Sequence, residues 1–401
     1  MQMKRNIFLM LLICCTSLFL SGCWDSRELQ KLSIISGIAI DKDENDENRY
    51  RATIQIINPS QVSGGQQAGK VQAAPVRTFS NSGSTLAEAL RKISPMVPGQ
   101  LFYPHIQVMI LSEEVAKDGI QNLFDLIERD SNFRMLFPVL IARNTPAKDI
   151  LQVTTSLNPI PSDSIVDNLE TSQSEWGEYI NVHADQLIEG LKGGSFVVSG
   201  VQIEGDKEQG NKGENIQQIS PAANIEIGGL SLFKDGKLEK WLEQNESRGT
   251  TWIMNEMKKT ILNLDYKKAK DTIAIEVNRA QTTIKIKIKN NKPTINIFVN
   301  TEGTISETLV PIDLSQSKKI EQLEEKMEKE IKEEIQLTVK MAQEEKSDFL
   351  GFGEYVNIKD KKLWKKISDT WDEEVFPETK VSINVDAYIR RTGMRMNPSS
   401  K

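Results

Sequence analysis

Cysteine and histidine are almost absent from this chain, and the two scarcities exclude much of the chemistry that 401 residues could carry. The three cysteines are Cys14, Cys15 and Cys23, all near the start. No disulfide framework and no Cys-ligated metal site can form in the body of such a chain. The two histidines, His105 and His183, lie far apart in sequence and make no zinc set on their own. His105 precedes an apolar strand and is expected to be a hydrogen-bonded structural histidine rather than a catalytic base. HExxH, GxSxG and a glycine-rich phosphate loop ending in Lys-Ser/Thr are also missing. No catalytic, cofactor-binding or metal-ligating residue is therefore assigned, and a non-enzymatic protein is expected. Long apolar runs are scarce too: after residue 23 none approaches the roughly 20 residues that span a bilayer as a helix. The formal charge of −6 argues against nucleic acid as a partner and against lipid binding through basic patches.

What is present begins with the leader. Lys4 and Arg5 form a short basic region, followed by an apolar run from Ile7 to Leu20 broken only by Thr16 and Ser17. That run has the length of a signal-peptide core and is too short to cross a membrane. Leu20-Ser21-Gly22-Cys23 then sets two small residues before a cysteine, the lipobox pattern. Small side chains fit the peptidase cleft, and the Cys23 thiol takes a diacylglyceryl group as a thioether. Residues 1–22 are thus expected to be removed as a lipoprotein signal peptide, and Cys23 to be the lipidation site. Loss of Lys4 and Arg5 takes the charge from −6 to −8. Acyl chains on Cys23 would hold the protein on the outer face of a membrane.

Hydropathy patterning gives an α+β fold of several domains. Ser33–Asp41 and Tyr50–Asn58 are predicted strands, with Ala52, Ile54 and Ile56 on one face and Arg51, Thr53 and Gln55 on the other. Residues 61–75, rich in Gly and Gln, are expected to be a loop. An α/β passage follows: a helix capped by Thr85 with Glu88, a buried strand Ile106–Leu111, a helix from Ser112 to Asp130, a buried strand Phe137–Ala142, and a helix from Pro146. Helical pieces are expected over 152–192 and a strand or strand pair over Gly194–Ile203. Glu204–Asn215 reads as a loop or domain boundary. In the C-terminal part Ile273, Ile275 and Val277 alternate, as do Ile284, Ile286 and Ile288 against Lys285, Lys287 and Lys289, before a turn at Asn290-Asn291. One long amphipathic helix is predicted over Ser317–Glu345, its stripe running Ile320, Leu323, Met327, Ile331, Ile335, Val339, Ala342. A last strand carries Val381 to Ile389. The expectation is a mixed sheet with helices in an N-terminal domain (23–203) and a loop with a small linking β segment or middle domain (204–240). An antiparallel sheet on a long helix completes the chain (241–401).

One motif set imitates an active site. Ser315-x-x-Lys318, Ser382-x-Asn384 and Arg391-Thr392-Gly393 resemble the elements of penicillin-recognising enzymes. The second and third sit nine positions apart on or just after one strand, whereas that site draws them from opposite sides of a cleft. Ser315 is expected to cap the long helix instead. Trp364 and Trp371, seven apart, are read as core residues before a partner surface.

The chain resembles the C-subunit lipoproteins of bacterial spore germinant receptors over nearly its whole length. The resemblance rests on Gly22-Cys23-Trp24-Asp25 with Glu28-Leu29, Gly37-Ile38-Ala39-Ile40-Asp41, His105 with Arg129-Asp130, and Gly229-Leu230 with Phe233–Leu238. It continues through Glu246-Ser247-Arg248-Gly249, Asp348–Gly353, the two tryptophans and Arg390-Arg391-Thr392-Gly393. The 61–75 stretch lies outside it and reads as a local insertion. The resemblance implies three mixed α/β domains and a non-enzymatic part in nutrient-triggered germination. It also implies a place on the outer surface of the spore inner membrane, beside a polytopic A subunit and a transporter-like B subunit. A competing class is an extracytoplasmic solute-binding lipoprotein that captures the germinant. Such a protein would need a cleft between two similar lobes, and no two-lobe repeat is visible.

Overall fold

The computed structural model describes residues 31–58, 74–155, 157–267 and 269–391. The leader with Cys23, most of the Gly/Gln stretch and the Thr392-Gly393 end of the last signature lie outside these. Two sheets organise the rest. The first has nine strands in the order β3-β2-β1-β5-β6-β7-β8-β9, with β4 pairing the start of β1. Its strands are β1 (Leu32–Asp43), β2 (Asp46–Ile57), β3 (Val76–Gly83), β4 (Gln100–Phe102), β5 (Val108–Ser112), β6 (Val139–Ala142), β7 (Ser195–Gly205), β8 (Ala223–Lys234) and β9 (Lys237–Trp241). β1, β5, β6 and β7 run parallel, while β2, β3, β8 and β9 flank them antiparallel. The segment 204–240, expected to link domains, carries two of the nine strands.

Helices cover both faces of this sheet. On one side lie α1 (Leu86–Ile93), α2 (Glu113–Asp118) and α3 (Gln121–Arg129); on the other lie α4 (Ala147–Ile150) and α5 (Pro161–Glu175); α6 (Ala184–Gly193) precedes β7. The Thr85 hydroxyl accepts from Glu88 N, and Ser112 accepts from Val115 N, so both predicted caps form. The helix expected from Ser112 to Asp130 is two helices, broken where Gly119 takes φ 123°. Thr53 and Gln55, on the face opposite Ala52, Ile54 and Ile56 as the alternation predicts, are also fully buried, because α4 and α5 cover that face. Gln55 meets the cost of burial by donating to Leu151 O (2.7 Å) and accepting from Ser36 Oγ (2.9 Å) and Ser162 N (3.3 Å). The expected loop 204–215 is also tied down: β7 runs to Gly205, α7 (Lys207–Gly210) follows, and the buried Asn215 bonds Thr154 O and both backbone groups of Ala223.

The second sheet, β10-β11-β12-β13, is built from Thr260–Tyr266, Ala269–Lys289, Lys292–Thr308 and Lys380–Arg391. Isoleucines alternate at odd positions early in β11 and at even positions later. A register shift between Val277 and Arg279 inserts one residue and changes the parity, so both runs face the same core. Asn290 and Asn291, at φ 52° and 58°, turn the chain into β12. The sheet is not wholly antiparallel: β13 pairs parallel with β12, since the long excursion through the helices returns the chain in the same direction. That excursion opens with α9 (Ser317–Glu344), whose stripe from Leu323 to Ala342 is buried against the sheet while Lys285, Lys287 and Lys289 face water. On α9, Glu324 and Glu328 also accept from Ile389 N and Ala387 N, closing the open edge of β13. α10 (Phe352–Lys359) and α11 (Lys361–Ile367) follow, and α8 (Gln244–Ile253) leads out of β9. Val197, Leu230 and Leu232 of the first sheet join this second core, so the two sheets pack as neighbours.

Candidate tether and buried polar clusters

The start of β1 is clamped. β4 pairs with it in parallel from Leu32 to Ile34, and Ser33 Oγ donates to Pro98 O at 2.5 Å. Gly99, at φ 87°, packs so closely on Lys31 that a Cβ would reach 2.5 Å from its carbonyl oxygen. The start of β1 is thereby fastened to β4 and to the turn before it. Cys23, the predicted lipidation site, lies eight residues upstream of Lys31.

The signature segments become buried polar clusters. In α8 every residue from Glu246 to Ile253 is buried. Its Arg248 places Nη2 3.0 Å from Glu334 Oε1 of α9, with side chains 10% and 5% exposed. That contact is a close charge pair without hydrogen-bond alignment; Arg248 Nη1 donates instead to Ile261 O (3.4 Å). Trp252 Nε1 donates to Glu334 Oε2 at 2.9 Å, and Thr338 Oγ1 to Glu246 O at 2.9 Å. Burial pushes the Glu334 carboxyl up to about 7, against the pull of Arg248 and Trp252. Gly249 lets the two helices touch: a Cβ there would overlap the Thr338 hydroxyl and the Glu334 carbonyl.

Asp348 makes the second cluster. Its carboxylate accepts from Phe352 N (3.0 Å), Gly353 N (2.6 Å) and Trp371 Nε1 (2.7 Å), and its own N–H donates to Asp372 Oδ1 (2.9 Å). Burial raises Asp348 to about 7 although all three donors favour the charged form. Around it Trp364 meets Trp371 edge-on at 5.5 Å, and Trp371 stacks on Phe376 at 6.0 Å. The tryptophan pair is core, as the sequence suggested. A Cβ on Gly353 would reach 2.5 Å from the Trp364 ring.

The Phe233–Leu238 signature is the β8–β9 hairpin, turning at Asp235 and Gly236 with φ 50° and 74°. Its Lys234 reaches Glu373 (2.8 Å) and Lys346 O (3.1 Å), joining the two sheets beside the Asp348 cluster. Asp41, at the end of the Gly37–Asp41 signature, accepts from Ala147 N (2.7 Å) and Lys148 N (3.0 Å), and burial pushes it up to about 6.

In the imitation active site Ser315 is engaged locally, and the Thr392-Gly393 element lies outside the described residues. Ser315 Oγ donates to Asp313 Oδ1 at 2.6 Å and does not cap α9, whose N-cap is Gln316. Ser382 and Asn384 lie along β13. His105 is exposed, its ring 5.4 Å from Phe102, so it is no buried hydrogen-bonded core residue. His183 starts α6, its N–H donating to Gln186 Oε1 (3.0 Å). Among the described residues no group of three or more His, Cys, Asp or Glu side chains is placed to hold a metal ion. No helix among them is long and apolar enough to cross a membrane. Sequence reasoning missed Glu334, which sits at stripe spacing between Ile331 and Thr338; a carboxylate on the apolar stripe was the available signal.

A family model described as "Spore germination protein N-terminal domain" matches residues 25–203, and one described as "Spore germination B3/ GerAC like, C-terminal" matches residues 228–393. Spore germination protein KC of Bacillus subtilis (strain 168) is 36% identical over 401 residues, spanning 99% of this chain and 98% of the relative. The chain belongs to the GerAC-like spore germination family. Spore germination proteins A3 and B3 of the same organism are 27% and 25% identical, over 98% and 96% of this chain and 99% and 96% of theirs. The crystal structure of the GerBC protein shares the fold, with a TM-score of 0.55 at 22% identity over 91% of this chain and 100% of that one. The two family-model matches together run through both sheets, including α8, α9 and the Asp348 cluster.

Proposed function

We propose that this protein is the lipid-anchored C subunit of a nutrient germinant receptor, tethered through Cys23 to the outer face of the spore inner membrane. It acts there by contact with the membrane-embedded A and B subunits. The observation that carries this reading is the end-to-end match to spore germination proteins. The tether supports it: eight residues from Cys23 to Lys31 reach at most about 28 Å when extended, which keeps the first sheet close to the bilayer. At that range local concentration is high, and modest contact surfaces suffice for assembly. The test is cross-linking in intact spores followed by purification of the full chain from the membrane fraction. Recovery of both a polytopic and a transporter-like subunit is expected. Recovery of the cross-linked chain without either would overturn the assembly role.

A further inference from the structure

The net charge of −6 is a sum over the whole chain, and it conceals one basic face. From Phe352 to Ile367, α10 and α11 carry five lysines (Lys359, Lys361, Lys362, Lys365 and Lys366) against two acids, Glu354 and Asp360. Phe352, Val356 and Leu363 point inward and Trp364 packs on Trp371, whereas all five lysines are exposed. None of the five has an ion-pair partner among the described residues. Asp360 does not neutralise them: its carboxylate accepts from Lys362 N and Leu363 N, each at 3.0 Å, and caps α11. The acids that follow are also engaged, Asp372 by Asp348 N and Glu373 by Lys234 and Lys346. Two large apolar side chains share the exposed side of α10, Tyr355 (42% exposed) and Ile358 (70%). Exposed apolar side chains bordered by unpaired lysines suit a surface that is anionic outside and apolar beneath, as a bilayer is.

The place of this face in the fold selects the bilayer. Lys234 Nζ holds Lys346 O, just before α10, and Glu373, just after α11, so the unit between them is pinned to the end of β8. Lys234 pairs with Ser195, the first residue of β7. Followed across the sheet through Gly200–Ile141, Val139–Met109 and Met109–Ile38, Ser195 comes level with Ile35, three residues into β1. The tether enters at that same end, just before Leu32. β8 stands four places from β1, about 19 Å away at the usual strand spacing, which is less than the reach of the tether itself. An acidic protein could also meet these lysines, but the tether brings a bilayer to this end of the molecule whatever else is bound.

We propose that the α10–α11 face docks on anionic lipid headgroups, its lysines against the phosphates and Ile358 and Tyr355 in the interfacial layer. The proposal rests on the tether described above and gives the tethered protein one orientation on the membrane.

The full chain, purified from the membrane fraction, is reconstituted into vesicles of phosphatidylcholine, alone or with an equal part of phosphatidylglycerol. Brief acetylation then reads each lysine by mass spectrometry. Lys361, Lys362, Lys365 and Lys366 are expected to react at least about threefold more slowly on the anionic vesicles. Lys207 and Lys212, beyond the carboxyl end of β7, are expected to react equally on both. Lys361→Glu with Lys365→Glu, both at exposed positions, is expected to abolish the difference at Lys362 and Lys366. Equal rates at the four lysines on the two vesicles would overturn the proposal. So would protection that needs the membrane subunits and is the same on both vesicles, which would assign the face to an acidic protein surface. Failure of the tether shows separately: the chain would then not float with the neutral vesicles, while the lysine rates on anionic ones still decide the docking.

Discussion

Asp348, Glu334 and Asp41 are carboxyls that the fold keeps in places where a carboxylate is poorly solvated, at about 7, about 7 and about 6. Each value lies above that of the unfolded chain, so between the two the folded protein holds a proton that the unfolded one has released. The stabilisation is complete below the unfolded pKa and is lost as pH rises through the folded one. The urea midpoint is therefore expected to fall between about pH 4 and about pH 7. Lowered carboxyls such as Glu44 and Glu88 push the other way, but they sit in solvent, where pairing counts for little. Asp348→Asn cannot ionise and should flatten part of that slope. It should also destabilise the protein, because its amide group sets a donor against the Gly353 and Trp371 N–H groups. A midpoint that rises over this range would contradict the burial of these groups. Arg248→Met removes the charge facing Glu334 and is expected to push its carboxyl further up. The loss is therefore small near pH 7, where the group is already half protonated, and grows by up to about 1.4 kcal/mol per pH unit above it. Denaturation at pH 5 should show a smaller loss, since Glu334 is then protonated.

Between elements, the α8–α9 contact depends on Gly249. Gly249→Ala gains about 1 kcal/mol of helix propensity, yet its methyl meets a backbone carbonyl that cannot rotate away. A net loss of about 2 kcal/mol is expected from overpacking, which typically costs about 1–3 kcal/mol. Ile331→Ala on the buried face of α9 should cost about 2–5 kcal/mol. Equal stability of either variant and the parent in urea would contradict the packing described. The α9 stripe was legible because seven apolar residues repeat at helical spacing over a Lys/Glu background. Glu334 was not, because its burial comes from α8, some 80 residues earlier, and the helical pattern of α8 is hidden by Ser, Thr and Gly. The burial of Gln55 and Thr53 was not legible for the same reason: alternation separates two faces, and α4 and α5 cover the second from a distant part of the chain. The bulge in β11 was written in the sequence as the parity change of its isoleucines. The caps at Thr85 and Ser112 were equally local and equally readable.

At the scale of the whole molecule, two sheets share a boundary at β7, β8 and the Lys234–Glu373 pair, and the chain enters at the clamped start of β1. The Glu246–Gly249 and Asp348–Gly353 segments sit inside this frame and hold it together. Cys23 carries the account's central claim, that this scaffold works only when lipid holds it at the membrane. The direct measurement is fractionation of spores carrying Cys23→Ala, scored together with nutrient-triggered germination. The variant is expected to fold normally, leave the membrane fraction and lose the nutrient response. Full membrane retention with normal germination in that variant would contradict the account.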